Sequence, residues 1–82
     1  MSNLDKILQE KQCVLELVEG IDELDNPLFA YVLLKKNNQK RFLDATKKGN
    51  IDLAKFGVVV AHGNGSPIPG FEQLVLDAIL KV

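Results

Sequence analysis

Phe56-Gly-Val-Val-Val-Ala-His-Gly-Asn-Gly-Ser-Pro-Ile-Pro-Gly70 reads as a short apolar strand that runs into a glycine-rich loop and then launches a helix. Gly57–Ala61 carries no polar side chain, as a strand does when both of its faces are covered. The loop holds the chain's one histidine, His62, and three of its six glycines. Beyond it, Phe71, Leu74, Val75, Ala78, Ile79 and Val82 recur at helical spacing and predict a single apolar face. Leu76 and Leu80, at i and i+4, lie on another side of the same helix. Strand, loop and helix in that order place the chain among α/β (or α+β) domains.

Working upstream, Ile51–Phe56 reads as one helical turn, with Asp52 as its cap and Gly57 as its stop. Gln39–Lys48 predicts a helix with Phe42, Leu43 and Thr46 on one face. Lys40, Arg41, Asp44, Lys47 and Lys48 fall on the other, and Gly49-Asn50 closes the helix in the left-handed C-terminal conformation. Lys35-Lys36-Asn37-Asn38 leads into it and supplies a cap. Leu28–Leu34 is a second strand, apolar throughout, and Asp25-Asn26-Pro27 before it is turn chemistry.

The N-terminal third has two readings. Leu4, Ile7, Val14, Val18 and Ile21 recur at spacings of three and four, interrupted by Lys11. That periodicity predicts a helix to about Glu19–Glu23, capped by Ser2 or Asn3, with Asp5 in its first turn. Cys13-Val-Leu-Glu-Leu-Val18 competes as a strand on β-propensity, but it lacks clean alternation, so helix is the preferred reading. The expected fold is one domain over residues 1–82, in the order α-β-α-(turn)-β-α. Three helices pack on a two-stranded sheet, parallel through a right-handed helical crossover and extended across a dimer. An antiparallel pair is the alternative.

Composition narrows the function classes. A formal net charge of −1 argues against a whole-domain nucleic-acid footprint. One cysteine, Cys13, forms no intramolecular disulfide, no apolar run spans a bilayer, and the N-terminus has no signal-peptide core. Cytoplasmic localisation is therefore expected. Charge is uneven: residues 1–26 hold seven acids against two lysines, whereas residues 35–48 hold six bases against Asp44 alone.

The loop's composition suggests three chemistries. Gly63, Gly65 and the following helix N-terminus offer backbone donors to an anion or small molecule, with His62, Asn64 and Ser66 beside them. The spacing matches neither the Walker pattern nor the dinucleotide fingerprint, and Pro67 and Pro69 remove two donors. Val58-Val-Val-Ala-His-Gly-Asn-Gly65 resembles the strand and oxyanion loop of α/β-hydrolases over eight residues. No Gly-x-Ser-x-Gly elbow exists anywhere, and the chain is too short for that sheet, so no activity follows. Catalysis by His62 with Ser66 would need an orienting third group that the sequence does not supply. No metal or cofactor is expected, since one histidine and one cysteine make no ligand set.

Lys40, Arg41, Lys47 and Lys48 form a basic face that could meet phosphates. Asp44 interrupts it, and no stacking aromatic accompanies it. The apolar surplus is the stronger signal. Two strands and three helices leave Leu76 and Leu80 without an obvious core to enter. The expectation is a non-catalytic protein–protein interaction module, homodimeric through its C-terminal helix or a strand edge, with Phe71, Leu76 and Leu80 buried against the partner. The alternatives are an anion or small-molecule binder using the Gly63–Gly70 loop and a weak nucleic-acid binder using the basic helix.

Overall fold

A computed structural model describes residues 3–21, 24–25, 27–49, 52–64 and 66–82. Its elements run α1 (Asn3–Glu10), β1 (Cys13–Ile21), β2 (Pro27–Lys35), α2 (Gln39–Lys47), β3 (Gly57–Gly63) and α3 (Phe71–Ile79). Single 3-10 turns at Lys36–Asn38 and Leu53–Lys55 flank α2 and lead into β3. The three strands form one sheet in the order β1-β2-β3, antiparallel throughout. This α+β arrangement corrects the expected two-stranded parallel sheet in both strand number and polarity.

The extra strand is β1, from the stretch whose spacing predicts a helix. Lys11 N–H donates to the Ile7 carbonyl and Gln12 N–H to the Gln9 carbonyl, which closes α1. Gln12 then turns the chain at φ 56°, and its carbonyl accepts from Lys36 N–H to begin the β1–β2 ladder. Alternation is missing from β1 because both of its faces are covered. Cys13 and Leu15 pack with α1 and α3, while Val14 and Val18 pack with α2. A strand with packed apolar groups on both faces lacks the strict polar alternation that reveals its period.

Polarity has a similar physical cause. A parallel β2–β3 pair would require the connection to travel the full length of β2 before β3 began. Here the α2 excursion returns to the end it left, so Gly57 pairs with Leu34 and Gly63 with Phe29. Asp52 caps the short turn before β3, its carboxylate accepting from Ala54 N–H as expected. Gly49 takes the left-handed conformation predicted for it, at φ 98°, directly after α2; Asn50 and Ile51 lie outside the described residues. Ser2, the other predicted cap of α1, also lies outside them, as does Asn26 of the predicted turn.

Helices cover both faces of the sheet. Leu33 of β2 meets Cys13, Val75 and Ala78 on one side, with Leu4 and Leu8 of α1 packed around them. Val32 and Leu34 meet Phe42 of α2 on the other, where Phe42 and Phe56 pack edge to face with ring centres 5.9 Å apart. Val32, Leu33 and Leu34 are fully buried, as the unbroken apolar run predicted. Among the described residues, no helix is long and apolar enough to cross a membrane.

Candidate functional site

β1 and β3 are the two edges of the sheet, and they are built differently. In β3 the register slips between Tyr31 and Val32 of β2. Ala61 faces Tyr31 and Val59 faces Val32, which leaves Val60 as an extra residue. Such a bulge twists an edge away from further pairing. β1 has none: its nine residues match β2 one for one from Cys13↔Lys35 to Ile21↔Pro27. It also contains no proline and no lysine, the residues that commonly block an edge. Among the described residues, no strand pairs with its outer side.

Alternation along an antiparallel ladder shows which β1 groups point outward. Lys36 N–H bonds to the Gln12 carbonyl, so positions 12 and 36 form a hydrogen-bonded pair. Even-numbered residues of β1 therefore direct N–H and C=O toward β2. Leu15, Leu17 and Glu19 direct theirs away from it. Unpaired donors and acceptors in a row are a template for another strand.

Two hollows follow this outer side end to end. One of about 570 Å³ is bordered by Leu4 and Leu8 of α1, by Cys13–Glu16 and by Gln39. Gln39 holds Glu16 through a side-chain hydrogen bond and so orients that carboxylate. The second, about 300 Å³, continues past Leu17, Val18 and Glu19 beneath Phe42, Leu43 and Thr46. Leu17 is 46% exposed and Leu43 is 40% exposed, large apolar groups beside an open backbone.

The residues predicted for partner burial on α3 do not converge. Phe71 turns toward the sheet, its ring edge to face with Tyr31 at 4.8 Å between centres. Leu76 is half-buried, and Leu80, just past α3, is 86% exposed. Successive residues turn about 100° around a helix, which puts Leu80 opposite Phe71. One partner surface cannot bury both without wrapping the helix.

The glycine-rich loop forms a shallow hollow of about 460 Å³ bordered by Leu28, His62, Gly63, Asn64, Ile68 and neighbouring prolines. Asn64 Oδ1 accepts from Ser66 N–H, so that amide is spent within the loop. Pro67 and Pro69 have none to give. An anion would find few donors on the described part of this wall; Gly65 lies outside the described residues. His62 and Ser66 are both exposed, and no hydrogen bond joins their side chains among the described residues. No cluster of three or more histidine, cysteine, aspartate or glutamate side chains could hold a metal there either, within the same limits.

On α2, Lys40, Arg41 and Lys47 are exposed, as is Lys48 just beyond it, and Asp44 is exposed among them. Phe42 is buried and Tyr31 is occupied by Phe71, so neither presents a face on which a base could stack. Sequence reasoning named a strand edge without its residues. The usable signal was an absence: no proline or lysine interrupts Cys13–Ile21. No protein-family model, curated protein or solved structure significantly matches the chain.

Proposed function

We propose that this chain is a non-catalytic protein-interaction module that works by strand addition at the outer edge of β1, self-association included. One observation carries the reading: β1 is a regular nine-residue edge without proline, lysine or bulge and without a strand on its outer side among the described residues, whereas β3 is bulged. Added strands gain affinity from main-chain hydrogen bonds and specificity from pockets for alternate side chains. The two hollows beside β1 supply such pockets. A cytoplasmic setting suits the lone buried thiol of Cys13, which needs no oxidising compartment.

The test is amide hydrogen exchange resolved to single residues. Leu15, Leu17 and Glu19 should exchange rapidly in dilute protein, because their N–H groups face solvent. Their protection should rise by roughly tenfold or more when a strand docks, from a second copy or an added extended peptide. Protection at Val14, Glu16 and Val18, whose amides already bond β2, should change far less. Equal rates for both sets under every condition would remove the basis for the reading.

A further inference from the structure

We infer that the strand added to β1 comes from a second copy of this chain, paired antiparallel about Leu17. The three-stranded sheet and its twin thereby become one continuous sheet. This rests on the strand-addition reading above and specifies its occupant and register.

A two-fold contact presents the same patch twice, so β1 must complement itself. Outward-facing backbone groups must meet outward-facing ones, which pairs odd-numbered residues with odd-numbered residues. Centring on Leu17 satisfies this and uses all nine residues of the strand. Leu17 meets Leu17, Leu15 meets Glu19, and Glu16 meets Val18. Centring one residue earlier sets Glu16 against Glu16, a like-charge pair that weakens a ladder. Centring on Glu19 repeats that fault, and every other register shortens the paired length.

The helices allow this arrangement. Leu4 and Leu8 of α1 pack with Cys13 and Leu15, while Phe42 of α2 packs with Val14 and Val18. α1 thus lies toward the beginning of β1, whereas α2 runs beside its centre, from Gln39 at Glu16 to Thr46 near Val18 and Glu19. The two-fold carries the partner's α1 to the opposite end of the paired strands and brings the partner's α2 beside the first across the centre, where exposed Leu43 lies. Leu17 and Leu43, exposed in the single chain, border the hollow that the incoming strand would fill. Residues 1–26 are acidic on each copy, and the Leu17-centred register sets Glu16 and Glu19 opposite Val18 and Leu15, so no carboxylate directly faces another across the ladder.

The test combines cross-linking with mass measurement on the full chain, in a Cys13→Ala background that removes the native thiol. In a hydrogen-bonded antiparallel pair the Cα atoms lie about 5.5 Å apart, within disulfide reach. L17C under mild oxidant should convert most of the protein to a covalent dimer. L15C alone and E19C alone should give none, whereas an equal mixture of the two should cross-link. L17K should weaken the non-covalent dimer by roughly tenfold or more, because it sets two ammonium groups face to face. A dimer that cross-links through another set of positions overturns the register and leaves strand addition standing. A protein that stays monomeric at tens of micromolar but binds a peptide of residues 13–21 overturns the second copy as the occupant. A monomer that also ignores the peptide overturns both readings.

Discussion

Gly57 opens β3 opposite Leu34, and a Cβ placed there would lie 2.1 Å from the Leu33 carbonyl oxygen and 2.7 Å from Leu34 Cδ2. The first neighbour is backbone in the central strand and cannot yield without disturbing the ladder. Gly57→Ala is therefore expected to cost about 3 kcal/mol, at the upper end for overpacking, as read from a shifted urea midpoint. A variant within about 0.5 kcal/mol of the parent would mean that β3 starts elsewhere. The glycine-rich loop holds three of the six glycines, yet Gly57, which the sequence marks only as a stop, carries the sharper steric requirement. Nothing local in Phe56-Gly57-Val58 signals this, because the obstructing atom belongs to a strand more than twenty residues away.

At the scale of elements, α3 allows a clean separation of core from surface. Val75 and Ala78 are buried against the sheet, whereas Leu80 projects into solvent. Leu80→Ser should leave stability within about 0.5 kcal/mol of the parent, measured by thermal or urea unfolding. A loss above about 2 kcal/mol would place Leu80 in a buried contact. α2 and α3 were legible in sequence because each buries one stripe, marked by Phe42 and Val75. β2 was legible because its apolar run is too short for a spanning helix and is bounded by Pro27 and Lys35. β1 was not. Val14, Leu15 and Val18 satisfy helical spacing and also a strand buried on both faces, and a single sequence does not separate the two when polar alternation is absent. The tertiary setting decides, with α1/α3 on one side and α2 on the other. That one misread element changed the strand count. The polarity error came separately, from expecting the α2 connection to cross the sheet.

For the whole molecule, an open β1 edge ties stability to concentration. A chain of 82 residues buries a modest core, so a second copy adds a substantial share of the total stability. Mass action then raises the midpoint of thermal unfolding with protein concentration, by roughly 3–5 °C per tenfold increase while the dimer is the populated species. The slope should vanish in L17K, whose edge repels its own copy, while the dilute-limit midpoint stays near that of the parent. This follows because Leu17 is half exposed in the single chain and its N–H does not bond β2. A flat midpoint in the parent protein would favour a monomer whose edge awaits a different strand. An equal slope in parent and L17K would move the self-contact elsewhere, with exposed Leu80 the next surface to substitute. Stability and assembly are thus read from one titration, and the pair of slopes separates an edge-driven dimer from one built on the C-terminal helix.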